Sequence, residues 1–209
     1  MFLSVRKIAV TAQKFLSKAD PVMKKLIKRF GSSTLEHDSI QSPFEALTRA
    51  VASQQLHEAA SEAILRRFIN LVPQKSFPEP DDIEKLTDDQ IRSTGFSRSK
   101  ILALRDLADK VKQGVVPSSD EITALDNDVI VSRITQVRGI GRWTVEIMLI
   151  FKLGRMDVLP VDDFAIRKGF MRAYGLAGMP KPKEIYTHGE KWRPYRTVAS
   201  WYLWQAAHE

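Results

Sequence analysis

Apolar residues recur three and four positions apart along nearly the whole chain, and nowhere do they settle into the two-residue alternation of a half-buried strand. That pattern predicts an all-α fold. Helix starts are well marked. Ser42-Pro43-Phe44-Glu45 joins an N-cap serine to a proline at the first helical position and a capping-box glutamate, and Thr87 with Gln90 and Ser118 with Glu121 repeat the box. The spacing predicts helices over residues 21–30, 43–54, 58–71, 81–86, 88–93, 98–113, 127–137, 141–152, 163–174 and 194–207. Residues 73–80 and 176–183, the latter holding Gly178, Pro180 and Pro182, read as loops. The first nineteen residues are basic and acid-poor, as a transit segment would be, but Phe2, Val5, Ile8 and Phe15 lead into DPVMKKLIKRF and are read as folded helix.

A helical chain of 209 residues, 44% hydrophobic, can bury one sizeable core or two closely packed small lobes. Its 32 lysines and arginines against 25 acids give a net charge of +7, which suits a polyanionic partner, although a merely basic soluble protein would look the same. The absence of cysteine excludes disulfides, thiolate zinc sites, catalytic thiols and a cysteine-held iron–sulfur cluster. His37, His57, His188 and His208 lack metal-ligand spacing, so neither metal nor cofactor is expected. No apolar run reaches the roughly 20 residues a membrane helix needs, so the expectation is a soluble protein without a membrane partner.

The most specific local motif is Val137-Arg138-Gly139-Ile140-Gly141-Arg142-Trp143-Thr144, a glycine-turn-glycine between two helical patterns. Glycines permit positive φ and close backbone approach to a ligand, and the following helix start offers N–H groups and its positive dipole end to an anion such as a DNA phosphate. Taken alone, an ordinary tight turn with Ile140 plugging the core and the arginines solvated is the commoner arrangement. Downstream lies Leu159-Pro160-Val161-Asp162-Asp163-Phe164-Ala165-Ile166, where two aspartates after a proline suit a helix N-terminus.

Together these segments resemble the helix-hairpin-helix DNA glycosylases, and most of all their alkylpurine (AlkA-like, 3-methyladenine glycosylase II) branch in a minimal yeast-type form. The resemblance runs from about Asp20 to the C-terminus. It implies two helical lobes, residues 44–155 and residues 1–43 with 156–209, with the active site in the cleft between them and no room for the extra β-domain of the larger bacterial enzyme. Phosphate binding falls to Gly139, Ile140, Gly141, Arg142 and Thr144; Arg138 stands where proline is commonest. The branch carries a double aspartate whose second member is catalytic and is followed three residues later by an aliphatic. Asp163 with Ile166 fits that register, and Asp162 is the reserve.

Ser53-Gln54-Gln55-Leu56 resembles the family's SQQL stretch, which implies a minor-groove wedge at Leu56 with Gln55. Gly95, Ser97, Arg98 and Lys100 resemble a second DNA-facing loop, for which a solvated helix start is an equal alternative. Trp143, Trp204 and Ile147 are the base-pocket candidates. Core packing is the alternative for Trp143, and Ile147 replaces an aromatic ring of the bacterial member. Bifunctional relatives carry a lysine nucleophile where this chain has Trp143, so hydrolysis without lyase chemistry is implied. The expected protein is thus a monomeric base excision repair enzyme acting on damaged double-stranded DNA, in the nucleus of a eukaryote or the cytoplasm and nucleoid of a bacterium. The alternative is a homologue that recognises damaged or abasic DNA without excising.

Overall fold

The computed structural model describes residues 5–35 and 42–209, and side chains from residue 9 onward within the first stretch. The sequence readings at Phe2 and His37, and at the side chains of Val5 and Ile8, lie outside the described residues. Among the described residues the regular structure is entirely helical. In chain order the elements are α1 (Val5–Ala19), α2 (Pro21–Phe30), α3 (Pro43–Ser53), α4 (Glu58–Ile69), α5 (Pro80–Lys85), α6 (Asp88–Ser93), α7 (Arg98–Lys112), α8 (Ser119–Ala124), α9 (Asn127–Ile134), α10 (Arg142–Phe151), α11 (Phe164–Ala173), α12 (Pro182–Gly189) and α13 (Arg196–His208), with a 3-10 turn at Glu190–Trp192 before α13.

Two compact units divide the chain: Met1–Asp38 with Leu149–Glu209, and Ser39–Met148. The first packs α13 against α11, α2 and α1 around Leu16, Met23, Ile166, Trp192, Tyr202 and Leu203, all fully buried. Where α11 crosses α13, Gly169 is demanded by space, because a Cβ there would fall inside the Leu203 carbonyl. Asp20 is 1% exposed and fastens this unit. It caps α2 by accepting from the Val22 N–H at 2.9 Å, while its other oxygen accepts from the Tyr174 hydroxyl, the Trp192 indole at 3.0 Å and Lys191 at 3.0 Å, with His188 Nε2 at 3.1 Å.

The second unit is organised on α7, whose Ile101, Leu104, Leu107 and Ala108 are buried and which packs against α3, α5 and α6. All three capping serines and threonines read from sequence act as N-caps, Ser42 accepting from the Glu45 N–H at 3.1 Å and Ser118 from the Glu121 N–H at 3.2 Å. Of these only Thr87 with Gln90 closes a reciprocal box, because Glu45 accepts from Arg49 and Glu121 from Arg133 instead. Several helix ends shift by one to three residues from the sequence reading, as at α9, which stops at Ile134 rather than at 137, and two helices are added. Ser118 starts the short helix α8, which apolar periodicity alone is too brief to show. α12 begins at Pro182, inside the stretch read as a loop, because proline at its first position and Glu184 accepting from the Lys181 N–H at 2.7 Å form a cap there. α13 begins two residues later than expected, at Arg196.

Candidate active site and nucleic-acid interface

Within the second unit, the hairpin between α9 and α10 is seated on α7. Asp106 accepts from the Arg138 N–H at 2.7 Å, Ile140 is buried, and the Ile140 N–H closes the turn on Val137 at 3.1 Å. Gly139 has φ +74°, a conformation costly for other residues. Gly141 differs: its φ is not positive, and a Cβ there would meet nothing within 4 Å. Nothing among the described residues crowds that position, so the backbone there is open to approach. Arg142 folds back along α10, its Nε 2.8 Å from buried Glu146 and a terminal nitrogen 3.7 Å from Asp128. Its charge is therefore partly neutralised, and of the two hairpin arginines Arg138 is the more available. Thr144 is half-buried in the first turn of α10.

The turn after α3 is held on both sides. Gln55, at φ +58°, is the one non-glycine residue with positive φ among the described residues, and Leu56 stands 42% exposed beside it. Lys100 donates to the carbonyls of Ala52 at 2.8 Å and Gln54 at 2.9 Å, and the Gln54 amide donates to the Gly139 carbonyl at 2.9 Å. The apolar tip is thus presented on a turn tied to the hairpin. Lys100, one of the residues resembling a second DNA-facing loop, is turned toward the α3 turn, where burial pushes its pKa down and two carbonyls take its donors. Its neighbours also have internal duties: Ser97 caps α7, accepting from the Lys100 N–H at 3.4 Å, and Gly95, at φ +109°, sits where a Cβ would come within 2.9 Å of Ile64. Arg98 is exposed, and His57, at the N-cap of α4, makes no capping bond with its side chain.

In the first unit, buried Leu159 and Pro160 lead to the head of α11. Asp163 is its N-cap: the carboxylate accepts from the Ile166 N–H at 2.9 Å and from the Trp204 indole N–H at 3.3 Å. Trp204, half-buried on α13, is itself stacked on Phe151 with ring centroids 5.7 Å apart. Asp162 is exposed. The two aspartates are therefore physically distinct, one fixed by main chain and indole, the other solvated. Capping and catalysis, alternatives on sequence grounds, are compatible uses of one carboxylate.

Sequence reasoning passed over Phe164, which follows Asp163 and is 67% exposed. An aromatic ring left so open at a helix start is a candidate base or sugar contact, and its place beside the double aspartate was the available signal. On α10, Trp143 is 47% exposed, which disposes of core packing as its explanation. Ile147, one turn further along the same helix, is half-buried. Trp201 is half-buried and Tyr202 fully buried, as core residues. No group of His, Asp and Glu among the described residues is placed to hold a metal ion, and no helix among them is long and apolar enough to cross a membrane.

Residues 48–194 match the HhH-GPD superfamily of base excision DNA repair proteins. The chain belongs to that superfamily. It is 40% identical to DNA-3-methyladenine glycosylase 1 of Schizosaccharomyces pombe over 94% of this chain and 86% of that one. It is 32% identical to the alkylbase DNA glycosidase-like protein mag2 of the same yeast, over 93% of this chain and 92% of that protein. The solved structure of the S. pombe 3-methyladenine glycosylase Mag1 in complex with abasic DNA superposes with a TM-score of 0.80, covering 93% of this chain and 95% of that one.

Proposed function

We propose that this HhH-GPD protein is a monofunctional DNA glycosylase that hydrolyses the N-glycosidic bond of 3-methyladenine-type alkylated purines in duplex DNA. The observation that carries the reading is the Asp163 carboxylate, held at the head of α11 by the Ile166 N–H and the Trp204 indole. As the base departs, positive charge grows on the deoxyribose, and a preorganised carboxylate stabilises it. The same group orients the attacking water and takes its proton. A cationic alkylated purine is already a good leaving group, so one carboxylate suffices. The ring of Trp204 attracts the cationic base by cation–π contact.

Phosphate grip falls to the Gly139–Gly141 hairpin and the first turn of α10, and Leu56 fills the stack behind an extruded nucleotide. Trp143 in place of an amine leaves no Schiff-base nucleophile at that position, which makes the enzyme a hydrolase without lyase chemistry. The protein acts as a monomer, in the compartment that holds the genome. A second reading, damage recognition without excision, is favoured by Ile147, an aliphatic side chain where a ring would strengthen the cage.

Single-turnover release of 3-methyladenine from methylated duplex, comparing wild type with Asp163→Asn, decides between them. Release abolished by the substitution supports the enzyme. No release by wild type, together with tight binding to an abasic duplex, leaves the binder. Loss on Asp162→Asn but not on Asp163→Asn would move the register by one residue.

A further inference from the structure

The charge of this protein is unevenly placed. Residues 1–35 hold eight lysines and arginines and a single acid, Asp20, and so carry the whole net charge of +7; the remaining residues balance at 24 basic against 24 acidic. The acid in that stretch is buried, and it is already matched by Lys191 from the far end of the chain. What α1 and α2 show to solvent is therefore basic: Lys14, Lys18, Lys24, Lys25, Lys28 and Arg29 are all exposed. Among the described residues, Arg29 alone of these six has a carboxylate partner, Glu209 at 2.7 Å.

Several cations elsewhere are instead paired. Lys75 lies between Glu79 and Asp82, Lys112 beside Glu84, Arg105 beside Asp88 and Arg133 beside Glu121. On α1 and α2 the like charges instead stand four residues apart, at Lys14 with Lys18, Lys24 with Lys28 and Lys25 with Arg29. That spacing repels and weakens an isolated helix. An array of like charges whose only carboxylate partner among the described residues is Glu209 is suited to an external polyanion. A lipid surface would need a broad apolar face to insert, but on α2 that face, Met23 and Leu26, is buried in the core, and on the described part of α1 the large apolar side chains left open are Val10 and Phe15, the latter edge-on against Tyr195. The array offers charge without insertion, as a phosphate backbone requires.

We infer that the α1–α2 helix pair is a second, sequence-independent contact surface for the phosphate backbone of duplex DNA, separate from the glycine hairpin. The inference rests on the proposal that the protein works on duplex DNA. It places most of the salt-sensitive attraction on the first unit, whose Asp163 carries the chemistry, whereas the hairpin contributes directed N–H bonds.

The test is the salt dependence of binding to an undamaged duplex. Each phosphate neutralised contributes about 0.9 to the slope of log affinity against log salt, so Lys24→Gln, Lys25→Gln and Lys28→Gln together should flatten the slope by about 2 to 3. An equal charge change at Lys85, Lys110 and Lys183 should flatten it much less, and thermal melting shows whether each variant is folded. A wild-type slope in the folded α2 triple, or equal flattening in both triples, overturns the inference while leaving the glycosylase reading intact. Adsorption of the wild type to anionic phospholipid vesicles, lost in the α2 triple while the DNA slope holds, would overturn it in favour of a lipid partner. Wild-type protein that binds no duplex at all removes the DNA reading and this inference together.

Discussion

Asp20 and Asp163 are built alike and used differently. Each is the N-cap of a helix in the same unit, and each accepts from a main-chain N–H and from the indole of a tryptophan near the C-terminus. Around Asp20 the donors continue: Tyr174, His188 and Lys191 converge on the oxygen that already holds Trp192, and the carboxylate is 1% exposed. Asp163 remains partly exposed, with exposed Asp162 and Phe164 on either side. A capped aspartate with an indole partner is thus a structural fastening when its surroundings saturate and enclose it. Left partly open, the same arrangement holds a carboxylate ready for a substrate.

The largest effect that tests this contrast is on chemistry. Asp163→Asn should lower single-turnover excision by at least about 100-fold, the scale for losing a preorganised electrostatic group. It should cost little stability, since asparagine caps helices as well as aspartate does. Asp20→Asn should do the reverse, costing about 3 kcal/mol of unfolding free energy, because a neutral amide replaces the buried carboxylate on which the Trp192, Tyr174, His188 and Lys191 donors converge. The folded fraction should excise at the wild-type rate. Denaturant unfolding and single-turnover assays on both variants check the pair, and a catalytic defect in Asp20→Asn without a stability defect would break the comparison.

The same contrast has a pH signature. Burial raises the Asp20 pKa, but the bonds from His188, Tyr174, Trp192 and Lys191 outweigh it and hold the carboxyl well below its ordinary 3.8. A depressed folded-state pKa contributes stability that is fully present above the unfolded value and is lost as pH falls through and below it. Between neutrality and about pH 3, wild type should therefore lose more stability than Asp20→Asn, so the two unfolding curves should converge on the acid side. Parallel curves would mean that the donors around Asp20 do not favour its ionised form.

How much of this was legible differs between the two aspartates. Asp20 precedes Pro21 at the start of α2 and Asp163 follows Pro160 by three residues at the start of α11, so local chemistry is compatible with a cap at each. The partners that separate their uses come from far along the chain, Trp192 and His188 for one and Trp204 for the other, and no local pattern reports them. The same limit explains Lys100. Its place in a Gly-Phe-Ser-Arg-Ser-Lys run gave a basic loop, but its bonds run to carbonyls 46 and 48 residues earlier. The helical fold was legible because periodicity and capping are local. Length alone does not decide this, since six-residue α5 and α6 were legible; α8 was marked only by its Ser118 cap, and α12 starts inside a Gly- and Pro-rich stretch that reads as a loop.

Trp204→Phe probes the intermediate case. The indole bond to Asp163 is long at 3.3 Å, and the ring also stacks on Phe151, which phenylalanine would partly keep. Losing one such long bond to a carboxylate is worth about 1.5 kcal/mol, so excision should fall about 10-fold with a small loss of stability. A fall as large as that of Asp163→Asn would mean that the indole does more than orient the carboxylate, for instance by holding the base itself.

The smallest effect expected is at Lys100, which by this logic belongs with Asp20 as a saturated group rather than with the exposed lysines. Lys100→Met removes both bonds to the turn that carries Leu56 but keeps the length of the side chain. The turn includes Gln55 at φ +58°, a conformation that must be held by its surroundings, so its loosening should lower excision from intact duplex by only a few-fold. Excision of the same lesion from a single strand, where no stack has to be refilled, should not change. The slope of affinity against salt should stay at the wild-type value, because this ammonium is bonded to carbonyls and not to phosphate. A flattened slope would return Lys100 to the DNA surface and show that bonds within the free protein do not mark which cations are withheld from the partner.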